Sequence, residues 1–158
     1  LSKLESGKLE DDWEHGDVVI FLQYLLESFH SYADTKNIKL TFYPEVITLE
    51  MDFDREKLQH IVSNLLSNAI RFSPSNKKIY IDLFERDGKA VVEISDEVPG
   101  ISEKALQTLF DNPKQHERHT DKNGLSISKK YVEAMGGEIN CTSRPGAGTT
   151  FSVAFELA

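Results

Sequence analysis

The sequence has a single cysteine, no long apolar run and fewer basic than acidic residues, and each shortage excludes a class of protein. Cys141 cannot form an internal disulfide, which favours a reducing compartment, and we expect it to be a small buried residue in a strand. No apolar run approaches about 18 residues, so we expect no membrane-spanning helix, and no signal peptide is visible. With 18 Lys and Arg against 26 Asp and Glu, the net charge of -8 argues against a nucleic-acid partner.

What is present is the balance of an ordinary globular domain, with 39% hydrophobic and 28% charged residues in a chain of 158. Leu1 and Leu4 stand at helical spacing and Gly7 ends that pattern. We therefore interpret residues 1–10 as the tail of a helix whose body lies upstream, and residues 11–158 as the domain itself, beginning with a polar hinge over 11–16. The chain is expected to be a piece of a longer protein.

Hydrophobic periodicity divides the rest of the chain into helices and strands. The strongest helix spans residues 55–72 with Asp54 as its N-cap, and Asp87-Gly88 joins two alternating runs as a hairpin turn. Further helices are predicted over 20–36, 102–110 and 124–135, and strands over 38–42, 47–51, 79–84, 90–94, 138–142 and 149–155. The predicted fold class is α+β: a two-layer α/β sandwich in which a mixed, mostly antiparallel sheet of about five strands is covered on one face by about three helices.

The strongest helix carries a polar stripe beside its apolar face. At about 100° per residue, Asn64 and Asn68 are stacked at i, i+4, and His60 and Arg71 flank them. A carboxamide oxygen is a suitable ligand for Mg²⁺, and an arginine pairs well with phosphate oxygens. The alternative is a solvated helix face, which the stripe alone does not exclude.

Three other segments could also bind part of a nucleotide, although each is weak evidence alone. Asp96 ends a strand ahead of Gly100, so its carboxylate can accept a hydrogen bond from an adenine amine while the backbone approaches the base. Gly124 begins a helix, whose first N–H groups attract phosphate, and residues 146–151 form a glycine turn into the last strand. Each segment has a plain structural alternative: a connecting turn, a helix start or a hairpin.

No other catalytic constellation competes with these segments. The five histidines have no metal-ligand spacing with one another or with Cys141, and the chain has no G-x-S-x-G or G-x-x-x-x-G-K motif.

The order of the segments is more specific than any one of them, and it resembles the ATPase-like superfamily of gyrase, MutL and histidine kinases. Residues 64–72 resemble the histidine-kinase N box, and 96–101 the G1 box. Residues 109–110 resemble the F box, 124–127 the end of the G2 box and 146–151 the final glycine-threonine motif. Residues 1–9 resemble the end of the dimerisation helix, which favours this branch over anti-sigma serine kinases.

The resemblance implies the catalytic ATP-binding domain of a bacterial two-component sensor histidine kinase, which transfers the ATP γ-phosphate to a histidine upstream of this chain. It makes Asn64 and Arg71 the catalytic residues, Asn68 the Mg²⁺ ligand and Asp96 the adenine contact. Asn64 and Arg71 would also contact the nucleotide. The resemblance also implies nucleotide contacts by Gly100, Ile101, Lys122, Gly124, Leu125 and Thr149.

The implied partners are ATP, the dimerisation helix of a homodimeric parent, and the receiver domain of a response regulator. The same resemblance implies a cytoplasmic domain without membrane contact, within a membrane-associated sensor.

The sequence departs from the family pattern at two glycine-rich boxes. Val98 stands at the first expected glycine of the G1 box, and only Gly124 remains of those expected in the G2 box. A β-branched residue at φ > 0 costs about 1–2 kcal/mol or more. Two or three such defects would weaken ATP binding roughly 100- to 1000-fold, so we expect weak binding.

Two alternatives follow from these departures. The first is a degenerate, nucleotide-binding-deficient domain that acts as a regulatory or interaction module. The second is another member of the superfamily, such as an ATPase or a serine kinase.

Overall fold

Two sheets and four helices make up the part of the chain that the computed structural model describes, residues 12–97, 125–144 and 148–157. The helices are α1 (Val18–Glu27), α2 (His30–Asp34), α3 (Arg55–Phe72) and α4 (Leu125–Ala134). The strands are β1 (Trp13–Asp17), β2 (Lys39–Pro44), β3 (Glu50–Asp54), β4 (Lys78–Arg86), β5 (Lys89–Asp96), β6 (Glu138–Arg144) and β7 (Gly148–Glu156). No helix within these ranges is long and apolar enough to cross a bilayer.

The main sheet has five strands in the order β2-β4-β5-β7-β6. β2 lies parallel to β4, and the other neighbours are antiparallel. Alternate strand residues such as Ile81, Ile94 and Val153 join the apolar faces of the helices in one core, whereas Phe84 and Val91 are buried outside it. Because successive side chains of a strand point to opposite faces, the helices cover one face of the sheet. The predicted α+β class with a mixed five-stranded sheet is confirmed.

The predicted hairpin turn is also confirmed. Asp87 and Gly88 have φ angles of 54° and 76°, as a two-residue turn with two left-handed positions requires, and Arg86 pairs with Lys89 across it. The turn sets the register that brings Asp96 to the far end of β5.

The single helix predicted over residues 20–36 is wrong, because the chain forms α1 and α2 with a break at Ser28 and Phe29. The Ser28 hydroxyl donates to the carbonyl of Leu25 at 2.6 Å, and the Ser28 N–H donates to the same carbonyl at 3.1 Å. These short-range bonds close the last turn of α1 on itself and compete with continuation of the helix.

The polar hinge predicted over residues 11–16 is wrong as well. Residues 13–17 are the strand β1, which pairs antiparallel with β3 in a separate two-stranded sheet. Trp13, Glu14 and His15 are exposed, so no alternation of buried and exposed residues marks the strand in the sequence. The pairing partner, and not a pattern within the segment, makes it a strand.

The strand predicted over residues 47–51 is displaced. Ile47 is 92% exposed, and β3 instead begins at Glu50, with Met51 and Phe53 buried in the core. The expected helix over 102–110 and the expected helix tail over 1–10 lie outside the described residues.

Candidate functional site

The long helix α3 presents the predicted polar stripe, and its first turn is fixed by Asp54. The Asp54 carboxylate accepts hydrogen bonds from the Lys57 N–H at 3.1 Å and from the Lys57 ammonium at 3.0 Å, which confirms the N-cap. Ile61, Leu65 and the other apolar residues of the helix are buried. Burial of this face fixes the rotation of α3 and therefore the direction in which the stripe points.

The last turn of α3 is fixed by a lysine from another element. The Lys36 ammonium donates to the carbonyls of Ile70, Arg71 and Ser73 at 2.9, 2.8 and 2.7 Å. Carbonyls in the last turn of a helix have no partner within the helix, and a cation there also opposes the helix dipole. Lys36 therefore anchors the end of the helix that carries Arg71.

Asn64 lies where α3 packs against α4. Its side-chain nitrogen is 3.1 Å from the Ser128 hydroxyl, to which it donates, and 3.0 Å from Nε2 of His60. Ser128 is fully buried, and the His60 ring lies edge-on to Tyr131 at 4.7 Å. Burial lowers the pKa of His60 below its ordinary value, which favours a neutral ring.

Asn68 and Arg71 stand one turn further along and contact each other. The Arg71 guanidinium donates to the side-chain oxygen of Asn68 and lies 4.9 Å from the centre of the Phe72 ring. Asn68 is buried, with 7% of its surface exposed, whereas Arg71 is exposed. The pair thus places a buried amide oxygen and an exposed cation side by side.

Asp96 ends β5 and lies directly across from Thr149 on β7. Thr149 is buried, and its hydroxyl is 3.2 Å from the Ser143 hydroxyl of β6. Gly148 has a φ of 92°, and a Cβ added to it would lie 2.2 Å from the Asp96 carbonyl oxygen. Only glycine permits this approach, so Gly148 holds the backbone beside Asp96.

Cys141 lies on the same face of the sheet as Asp96 and is half-buried against the core. Burial, with a smaller contribution from the Asp96 carboxylate, raises the pKa of the thiol to about 12. The thiol stays protonated, as the expected structural role requires.

The helix α3 packs against both α4 and β5, so the stripe and the end of β5 belong to neighbouring elements. Leu125, the first residue of α4, is buried in the core. Within residues 12–97, 125–144 and 148–157, no three His, Cys, Asp or Glu side chains are grouped so that they could hold a metal ion. The remaining predicted contacts, Gly100, Ile101, Lys122 and Gly124, lie outside the described residues.

Two residues that shape the site are not predicted by any pattern in the sequence. Lys36 and Ser128 contact the site across 34–37 and 64 residues of sequence, and no local pattern marks such contacts. The sequence predicts His60 only as a base that flanks the stripe. Its contact with Asn64 follows from their i, i+4 spacing and could have been predicted.

Comparison with known proteins supports the motif order. Residues 53–158 match the family described as histidine kinase-, DNA gyrase B-, and HSP90-like ATPase. Histidine kinase P4 of Formosa agariphila is 30% identical over 98% of this chain, which covers 12% of that protein. Histidine protein kinase DivJ of Caulobacter vibrioides is 31% identical over 97% of this chain, which covers 26% of that protein. The chain thus spans between 12% and 26% of the length of these two relatives.

Solved structures show the same fold. Full-length ShkA in complex with AMPPNP has a TM-score of 0.84 at 22% identity, covering 94% of this chain and 32% of that chain. Histidine kinase ThkA in complex with the response regulator protein TrrA has a TM-score of 0.79 at 22% identity, covering 92% and 42% of the two chains.

Proposed function

The chain belongs to the histidine kinase-, DNA gyrase B- and HSP90-like ATPase family as a histidine-kinase ATPase domain, and we propose that it binds Mg·ATP and presents the γ-phosphate for transfer to a histidine of its parent protein. One observation carries the proposal. Asn64, Asn68 and Arg71 lie along one face of α3, and Asp96 ends the strand β5 against which that helix packs. Catalysis at such a site consists mainly of positioning and charge neutralisation.

The adenine end of the proposed site is the end of β5. The Asp96 carboxylate would accept a hydrogen bond from the exocyclic amine, and Thr149 lies opposite it on β7. The support is positional: Asp96 is half-buried, and Gly148 holds the neighbouring backbone close to it. A half-buried carboxylate discriminates well because a ligand without the amine would cover it and donate no hydrogen bond in return.

The phosphate end of the proposed site is the polar stripe of α3. Asn64 would lie beside the γ-phosphate and Arg71 would pair with phosphate oxygens, for which a guanidinium is suited. Arg71 now donates to Asn68, and it would exchange this amide for phosphate when the nucleotide binds. Its exposure on the surface of α3 permits that movement.

Mg²⁺ fits this end of the site through the side-chain oxygen of Asn68. A single amide oxygen suits a metal that retains waters and takes its other ligands from phosphates, so no cage of carboxylates is needed. When bound, the metal would neutralise the negative charge of the phosphates. Asn68 is buried, which fixes the position of its oxygen.

The remaining contacts are proposed from the family resemblance. Gly100, Ile101, Lys122, Gly124 and the backbone N–H of Leu125 would complete the nucleotide site. The parent protein would be a homodimeric sensor kinase with the phosphoacceptor histidine on a dimerisation helix ending within residues 1–10. Its second partner would be a response regulator, as in the ThkA complex with TrrA. We propose a cytoplasmic location for the domain.

Isothermal titration with a non-hydrolysable ATP analogue, with and without Mg²⁺, tests the proposal. We expect weak, saturable, Mg²⁺-dependent binding, and we expect Asp96→Asn to weaken it by about 10-fold or more, because a neutral amide replaces the charged acceptor. Asp82→Asn is the matched control. Asp82 lies on the opposite face of the sheet from the core, and burial and Glu45 already raise the pKa of its carboxyl.

Two results would count against the proposal. Equal affinity of the wild type and Asp96→Asn would remove Asp96 from the adenine site. An absence of heat with millimolar analogue would favour the nucleotide-binding-deficient module instead.

A further inference from the structure

The side-chain amide of Asn64 is held between two acceptors on its inner side. Its nitrogen lies 3.1 Å from the Ser128 hydroxyl oxygen and 3.0 Å from His60 Nε2. A primary amide has two N–H hydrogens, so the two neighbours together can take both of them. This arrangement turns the carbonyl oxygen of the amide, an acceptor, away from these two neighbours.

Both acceptors are held firmly by packing. Ser128 is fully buried in α4, and the His60 ring packs edge-on against Tyr131 of the same helix at 4.7 Å with an interplanar angle of 66°. Partial burial favours the neutral ring. In the Nδ1–H tautomer Nε2 carries no proton and accepts from the amide nitrogen that lies 3.0 Å away. The amide of Asn64 therefore meets a preformed pair of acceptors.

We propose that His60 and Ser128 are positioning residues that orient the Asn64 amide with its nitrogen inward, so that Asn64 acts at the phosphate end as an acceptor. An acceptor suits a metal ion or a metal-bound water and repels a bare phosphate oxygen. The two residues thereby make the site selective for Mg·ATP over metal-free ATP. This inference rests on the proposed function, in which Asn64 lies beside the γ-phosphate.

The experiment separates the acceptor role of His60 from its packing role. His60→Phe keeps an aromatic ring against Tyr131 and removes the acceptor, whereas His60→Gln removes the ring and keeps an acceptor. Ser128→Ala removes the second acceptor at almost unchanged volume. For each variant we would measure the dissociation constants of a non-hydrolysable ATP analogue with and without Mg²⁺, those of ADP, and the midpoint of thermal unfolding.

We expect His60→Phe and Ser128→Ala each to reduce the preference for the Mg²⁺-bound analogue by about three- to tenfold, the value of one hydrogen bond. ADP affinity should stay unchanged, and His60→Gln should keep the wild-type preference even if it unfolds at a lower temperature. An unchanged preference in both His60→Phe and Ser128→Ala would overturn the inference. So would a preference that follows the unfolding temperature across the variants.

Nucleotide binding by the wild-type protein distinguishes a failure of this inference from a failure of the proposed function. If the wild type binds neither nucleotide, the proposed function fails and the inference fails with it. If it binds the Mg²⁺-bound analogue and the variants keep its preference, only the inference fails.

Discussion

At the scale of the single residue, Asp54 joins three groups at the start of α3. Its carboxylate accepts from the Asp12 N–H at 2.7 Å, the Lys57 N–H at 3.1 Å and the Lys57 ammonium at 3.0 Å. Burial alone would raise the pKa of Asp54, but these hydrogen bonds outweigh it, and the pKa lies below the ordinary value of 3.8. The ionised form is therefore the one that the fold stabilises.

Asp54→Asn tests this charge while keeping a side chain that caps helices well. A carboxyl whose pKa is lower in the folded than in the unfolded state stabilises the fold above the unfolded pKa, and this contribution is lost as the pH falls through the folded pKa. We expect the variant to lower the free energy of unfolding at pH 7 by about 1–3 kcal/mol, with the difference shrinking below about pH 4. Urea denaturation between pH 7 and pH 3 measures it. A difference that does not change with pH would contradict the argument, and Asp34→Asn, an exposed carboxylate, is the control.

Gly148 is the residue whose replacement should affect stability and the adenine end of the site together. Alanine would place its Cβ 2.2 Å from the Asp96 carbonyl oxygen and would also require the left-handed φ of 92°. Gly88→Ala is a matched control, because its φ is 76° and nothing lies within 4 Å of the added Cβ. We expect Gly88→Ala to cost about 1 kcal/mol of unfolding free energy and Gly148→Ala at least about 2 kcal/mol more.

Chemical denaturation and titration with the ATP analogue check the Gly148 prediction. Gly148→Ala should also weaken binding of the ATP analogue, because Asp96 must move. Gly88→Ala should leave this affinity unchanged. Equal effects of the two variants on stability would show that the contact with the Asp96 carbonyl relaxes at no cost.

At the scale of the element, the end of α3 depends on Lys36. Its ammonium is the donor to three carbonyls around the last turn, those of Ile70, Arg71 and Ser73. Lys36→Met keeps most of the side-chain volume and removes the donor. We expect a loss of about 1–3 kcal/mol in the free energy of unfolding and weaker nucleotide binding, because Arg71 stands in that turn.

Urea denaturation measures the loss of unfolding free energy in Lys36→Met. Lys39→Met, which changes an exposed residue of β2, is the control. If both variants lose the same free energy, the effect belongs to surface lysines in general and not to capping of the helix.

The elements that the sequence predicted correctly are those that carry their own signal. The apolar stripe and Asp54 define α3, and Asp87-Gly88 defines the β4–β5 hairpin, so both were predicted. The strand β1 has exposed side chains and exists because it pairs with β3, which no local pattern shows. The break at Ser28 depends on a side-chain hydrogen bond whose effect competes with helical periodicity. The pairing of β1 is a tertiary effect, whereas the break at Ser28 is a local competition that hydrophobic periodicity does not reveal.

In the candidate site, too, contacts within one helix could be predicted from the sequence and contacts between distant segments could not. The i, i+4 spacing predicted Asn64 and Asn68 on one stripe flanked by His60, because positions along a helix follow from its geometry. The contacts of Asn64 with Ser128 and of Lys36 with the end of α3 join distant segments, and they depend on how the helices pack. The motif order predicted the family, which the comparison with known proteins confirms, whereas the site that it implies stays a prediction.

At the scale of the whole molecule, the two sheets are stabilised very differently. Strand β4 contributes Ile79, Ile81 and Leu83, none of which has measurable exposed surface, to the shared core. The side chains of Trp13, Glu14 and His15 in β1 are exposed. A two-stranded sheet with one exposed strand has little buried apolar area to hold it closed. Local opening of β1 should therefore cost less free energy than opening of the main sheet.

His15 should make the opening of β1 depend on pH. The ring lies 2.8 Å from an Asp52 oxygen and 3.1 Å from a Glu50 oxygen on β3, and the hydrogen bond to Asp52 is the largest cause that raises the pKa of His15 above 6.5. A histidine with a raised pKa stabilises the fold below its unfolded pKa, and this contribution disappears as the pH rises through the folded value. We expect hydrogen-exchange protection factors in β1 to fall as the pH rises above about 6.5, while those in β4 stay constant. His15→Gln should remove the pH dependence, and its persistence in that variant would assign it to another group.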